Sequence, residues 1–170
     1  MRSFRRLPGV AWLVLACWAG LPASALAATV GQPAPEFELR GQGAAPVKLS
    51  ALRGKVVYVD FWASWCGPCR QSFPWMNDMQ AKLAARGFHI VAINLDAKDA
   101  DAQKFLAENS GKFQIAFDNK GVTPKLYGVK GMPTSYLIDR EGRVVYEHAG
   151  FNLSKTGELE KQIEKLLDTK

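Results

Sequence analysis

Cys66 and Cys69 lie two residues apart in the run Trp65-Cys66-Gly67-Pro68-Cys69. A thiol reacts as its thiolate, and the unpaired N–H groups and positive dipole end at a helix N-terminus favour that form. Cys66 is placed to be such a helix-tip nucleophile, exposed to partners. Cys69, one turn later and more buried, can attack a mixed disulfide at Cys66 and release the reduced substrate. A working dithiol also needs a proton acceptor and a platform for substrate. As one purely structural disulfide the pair would close a very short loop, which removes little entropy from the unfolded chain. A zinc site would want four ligands. Beyond residue 27 the other soft candidates are His89 and His148, each beside a predicted strand and read more simply as a structural or surface residue.

The elements that must hold this pair are legible around it. Lys55 to Trp62 is β-branched and aromatic, which predicts a buried strand. Gly67-Pro68 break that strand and suit the first turn of a helix, where proline loses no needed N–H. Phe73, Met76, Met79 and Leu83 then mark one apolar helix face. Pro74 should kink this helix and Gly87 should end it. Upstream, Phe37 and Leu39 alternate and Val47 to Leu49 return after Gly41-Gln42-Gly43, a hairpin. Downstream come a strand over 90–95, a helix from near Asp99 to before Gly111, and a short strand over 113–117. Strands over 134–138 and 143–148 follow, joined by a turn at Asp139 to Gly142. Leu159, Ile163, Leu166 and Leu167 give a closing amphipathic helix, with Asn152-Leu153-Ser154 as its polar start. Whether Trp75 is core or surface the pattern leaves open.

The first 27 residues read as an export signal. Arg2, Arg5 and Arg6 precede an apolar stretch from Val10 to Ala19, and Ala25-Leu26-Ala27 is a small-residue cleavage site. The stretch is shorter than the roughly 20 residues needed to span a bilayer. Membrane contact would come only through an uncleaved N-terminal anchor or a lipid on Cys17. Cleavage removes Cys17 and leaves Cys66 and Cys69 as the only cysteines of a single domain over 28–170. Without the three leading arginines the net charge of +6 falls to +3, and no basic run interleaves with aromatics, which argues against nucleic-acid binding.

The run Trp65 to Cys69 resembles the thioredoxin active site, together with Val59-Asp60-Phe61-Trp62-Ala63 before it and Pro74 after it. Gly131-Met132-Pro133-Thr134 resembles the cis-proline loop of that fold. The segment Gly31-Gln32-Pro33-Ala34-Pro35-Glu36-Phe37 and the extra stretch from Asp96 to Tyr127 resemble the exported TlpA/ResA-like thiol–disulfide oxidoreductases. The resemblance covers about residues 29–167. It implies an α/β, thioredoxin-like three-layer fold: a central mixed sheet flanked by helices, with an N-terminal β-hairpin and an insertion after the first βαβ unit. It further implies a redox disulfide between Cys66 and Cys69, with Asp60 as the buried carboxylate that assists proton transfer at the resolving thiol. Substrate is then bound by Trp65, Gly67, Pro68, Met132 and Pro133. Three positions depart from pattern. No lysine occurs in Val91 to Asn94, Ser72 stands where many relatives carry glutamate, and Asp60 stands where that branch often has asparagine.

These features predict a periplasmic reductase of protein disulfides with no cofactor and no bound metal. It would act on protein disulfide or thiol substrates and be re-reduced by an upstream membrane thiol donor. Two alternatives are a Cu(I) carrier using both cysteines and a thiol peroxidase. The second lacks the threonine expected three residues before the reactive cysteine, where Ala63 stands.

Overall fold

The computed structural model describes residues 27–169. Apart from Ala27, the segment read as a signal, Cys17 included, lies outside the described residues. Seven strands form one sheet: β1 (Glu38–Gly41), β2 (Pro46–Lys48), β3 (Val56–Trp62), β4 (Phe88–Asn94), β5 (Gln114–Phe117), β6 (Thr134–Ile138) and β7 (Val144–Ala149). Their order is β2-β1-β5-β4-β3-β6-β7. β3, β4 and β5 run parallel, and the pairings to β6, β7, β1 and β2 are antiparallel. The helices are α1 (Gly67–Leu83), α2 (Asp99–Glu108), α3 (Val122–Tyr127) and α4 (Thr156–Asp168).

All seven residues of β3 are buried because each of its faces lies against a core. Strand side chains alternate between faces. Val56, Tyr58 and Trp62 pack with residues of α1, α2 and α4, whereas Val57, Val59 and Phe61 pack with Phe37, Leu49 and Tyr127. Asp60 has the parity of the first set, so its carboxyl lies on the α1 face. The expected apolar stripe of α1 (Phe73, Met76, Met79 and Leu83) is buried, and Ser72 and Trp75 join it.

α1 runs unbroken through Pro74. The proline occupies the exposed face, where the Arg70 carbonyl it leaves without a helical donor can turn to water. Gly87, at φ 89°, closes the short 3₁₀ turn that follows α1. Gly142, at φ 78°, completes the β6–β7 turn, and the Arg143 N–H donates to Asp139 Oδ1 at 2.8 Å. α3 was not expected from the sequence. Six residues hold too few turns to show a periodicity, and the signal that remains is its bracketing by Gly121 and Gly128, both left-handed.

Candidate active site

The end of β3 delivers the chain to the dithiol. Cys66 is the N-cap residue of α1, extended at φ −83° and ψ 104°, and its Sγ accepts the Cys69 N–H at 3.2 Å. Cys66 and Cys69 are joined as a disulfide with S–S 1.99 Å and Cα–Cα 5.3 Å. Cys69 is fully buried, and Cys66 is 5% exposed. The order of burial matches expectation, but the open nucleophile does not. In the disulfide form the Cys66 sulfur is turned onto its partner rather than toward solvent. What stands open beside it is Trp65, at 74% exposure, with Gly67 and Pro68 also exposed.

The loop before the dithiol is pinned from below by Asp96, a residue the sequence reading did not select. Its carboxylate accepts the Ser64 N–H at 2.9 Å, the Ser64 hydroxyl at 3.0 Å and the Asn94 amide at 2.8 Å. Asn119 donates to the Asp96 carbonyl at 2.7 Å. No local spacing links Ser64 to Asp96. The contact exists because β3 and β4 are parallel neighbours that end together, Trp62 beside Asn94.

Asp60 is 1% exposed, and its Oδ2 has no hydrogen-bond partner. Burial pushes its carboxyl well above the usual carboxylate range. In register it is flanked by Ala92 on β4 and Ser135 on β6. The lysine missing from the sequence is thus missing from the space beside Asp60. Ser72, which departs from the resembled pattern, is buried and donates to the Cys69 carbonyl at 2.9 Å. It serves the helix backbone. Trp75 is core, edge-on to Tyr58, with its indole N–H on Glu160 Oε1 at 2.8 Å.

The pairing of Phe61 with Thr134 brings the segment before β6 to the dithiol end of the sheet. The Met132–Pro133 bond there is cis, and Met132 packs against the core cluster that contains both cysteines. The Thr134 hydroxyl donates to the Gly131 carbonyl at 2.7 Å, and the Gly150 N–H donates to the Pro133 carbonyl at 2.8 Å. A groove beside this loop is lined by Lys130, Met132, Pro133, Glu147 and Gly150. A second groove is lined by Trp65 itself with Ser64, Arg70, Lys104 and Phe105. His89 is tied to Gln114 at 3.0 Å, and His148 lies on β7. No cluster of three or more His, Cys, Asp or Glu able to hold a metal occurs among the described residues.

A parallel-centred sheet, a cysteine pair at a helix tip and a cis-proline loop facing it define a thioredoxin-fold dithiol protein. Residues 29–167 match the Redoxin family. The thiol-disulfide oxidoreductase ResA of Bacillus thuringiensis subsp. konkukian (strain 97-27) is 36% identical over 121 residues, which span 71% of this chain and 70% of that one. A Chlorobium tepidum crystal structure described as a thiol:disulfide interchange protein DsbE is 60% identical, with a TM-score of 0.81 over 83% of this chain and 99% of that one. A Bacteroides thetaiotaomicron solution structure described as a protein disulfide isomerase is 29% identical, with a TM-score of 0.76 over 84% and 92%. The chain belongs to the Redoxin family and, within it, to the TlpA/ResA-like thiol–disulfide oxidoreductases.

Proposed function

We propose that this oxidoreductase works as an exported, periplasmic reductase of protein disulfides. The observation that carries the mechanism is the placement of Cys66 Sγ at the tip of α1, accepting the Cys69 N–H, with Asp60 buried in the strand that leads to it. That setting favours a thiolate at Cys66 once the pair is reduced. The Cys66 thiolate attacks one sulfur of a substrate disulfide. A mixed disulfide forms, and the first substrate sulfur leaves and takes a proton. Cys69 then gives its proton to the Asp60 carboxylate and attacks Cys66 Sγ, displacing the second substrate sulfur. The substrate has gained two electrons, and Cys66–Cys69 is again a disulfide. Trp65, Gly67, Pro68 and the Met132–Pro133 loop border the sulfur and form the surface on which an extended substrate segment lies.

Export rests on the leader-like residues 1–27, and the direction rests on the Gly67-Pro68 dipeptide between the cysteines. In an oxidising compartment the cycle needs an upstream membrane thiol donor. Two measurements test the reading. A redox titration should place the Cys66/Cys69 couple with the reducing thioredoxins, and a potential near those of strong periplasmic oxidants would overturn the direction. Cys69→Ser should trap partners on Cys66 as mixed disulfides, resolved by mass spectrometry. Tight stoichiometric Cu(I) binding without any trapped partner would instead favour a carrier.

A further inference from the structure

The turn that carries the dithiol is held through a chain of hydrogen bonds that ends in a different loop. Ala63 to Cys66 is a turn closed by the Cys66 N–H on the Ala63 carbonyl at 3.1 Å. Ser64, its second residue, gives both its N–H and its hydroxyl to the Asp96 carboxylate. Asp96 is buried and is itself tied to the fully buried Asn94: its N–H donates to Asn94 Oδ1 at 3.1 Å, and its carboxylate accepts the Asn94 amide. The Asp96 carbonyl accepts Asn119 Nδ2 at 2.7 Å, and the same Nδ2 donates to Asp99 Oδ1 at 3.0 Å. Asp99 is the first residue of α2. A primary amide has two N–H bonds to give, and Asn119 spends both across the connection from β4 to α2. Its own base is firm. In the turn after β5 the Asp118 N–H donates to the Asn94 carbonyl at 2.9 Å, and Asp118 Oδ2 accepts the Thr123 N–H at 2.6 Å. The other Asp99 oxygen takes Arg40 at 2.7 Å, but both of those side chains are about half exposed, so that pair adds little. The weight falls on Asn119.

We propose that Asn119 is a positioning residue for Cys66: it holds Asp96 against Ser64, and the held turn sets the Cys66 sulfur at the tip of α1. The inference rests on Cys66 being the attacking thiol. Cys66 Sγ accepts the Cys69 N–H as the N-cap of α1, and a bond of that kind to a thiolate is charge-assisted and lowers the thiol pKa. A turn free to shift carries the sulfur away from that N–H and from the end of the helix dipole, and the thiolate then forms only at higher pH. The two bonds of Asn119 end on Asp96 and Asp99, so its effect on Cys66 passes through them.

The test titrates Cys66 in the reduced full chain. Iodoacetamide alkylation is followed from acid to alkaline pH, with Cys66 and Cys69 read separately by fragmentation in mass spectrometry, and hydrogen exchange at the Ser64 amide is read by NMR. Asn119 is exposed, and Asn119→Ala changes no charge. Arg70, Asp101, Lys104 and Glu108, which share a groove with Ser64 and Trp65, stay in place, as do Asp96 and Asp99, so a moved profile reports placement of the sulfur. Asn119→Ala should shift the Cys66 profile to higher pH and slow alkylation on its acid limb about threefold. It should speed Ser64 amide exchange about tenfold. Made on top of Asp96→Ala it should add no further shift, because the carboxylate link to Ser64 is already gone. A Cys66 profile that superimposes on the wild type overturns the proposal, whatever happens to Ser64 exchange or to the melting temperature. A shifted profile with Ser64 exchange unchanged also overturns it, since the effect then bypasses the turn. If the unsubstituted protein is alkylated first at Cys69, the reading of Cys66 as the attacking thiol fails, and that is seen before any variant is made.

Discussion

At Asp60 a carboxyl is held in the core with a methyl group on one side and a hydroxyl on the other. In acid, below the ordinary carboxylate pKa, ionisation adds nothing to the cost of burying this group, because the unfolded chain is protonated as well. As pH rises through that value the unfolded chain ionises, while the folded chain must keep the proton or bury a charge. The raised pKa therefore makes this residue progressively destabilising up to its folded pKa. Asp60→Asn should raise stability by nothing at about pH 4, growing by about 1.4 kcal/mol per pH unit across that window, in urea melts at several pH values. A gain equal at every pH would contradict a raised Asp60 pKa. Trp65 makes the complementary case. Because it is 74% exposed, Trp65→Ala should change stability by no more than about 0.5 kcal/mol. It should raise KM for a protein disulfide and leave a small disulfide substrate nearly unaffected, as steady-state kinetics on both would show. Cys66 and Cys69 could be singled out from their spacing at a helix start, whereas Asp60 and Pro133 were singled out only because their runs resemble the thioredoxin motifs. Asp96 was not, since only the parallel pairing of β3 with β4 brings it under Ser64.

Among the elements, the junction of β4 with the loop before α1 bears most on the site. Asp96→Ala leaves the Ser64 N–H and hydroxyl and the Asn94 amide without their acceptor. It should cost about 3 kcal/mol in denaturant melts and slow reaction at Cys66, whereas Asp96→Asn keeps an acceptor oxygen and should lose less. An exchange rate unmoved by Asp96→Ala would show that the loop holds its shape without this anchor. β3 and the stripe of α1 could be read directly, since burial on both strand faces and on one helix face writes a plain apolar pattern. The hairpin, β4, β6, β7 and α4 were found to within a residue or two for the same reason. α3 left no such pattern, and the seat of β1 against β5, Arg40 beside Phe117, joins strands that only the finished sheet makes neighbours.

For the whole molecule, folding and redox state are linked by one cycle: whichever redox form is the more stable is the one toward which the couple is poised. Strong oxidants have a stabilised reduced form. A reductase requires the opposite, so the oxidised protein should melt at a higher temperature than the dithiol form, as calorimetry with and without reductant would reveal. The disulfide closes so short a loop that the difference should stay within about 2 kcal/mol, and a more stable reduced form would reverse the proposed direction. The two ends of the sheet carry a different consequence. One edge is β2, three residues long and bearing Pro46 and Lys48. At the other, the Gly31 N–H donates to the Val144 carbonyl at 2.7 Å and the Val144 N–H to the Gln32 carbonyl at 2.9 Å, laying the chain along the start of β7. Unpaired strands are templates on which a second chain can add. A protein that meets other chains through its dithiol thus offers them an indole and a sulfur, while among the described residues one sheet edge is short and proline-bearing and the other is covered where β7 begins.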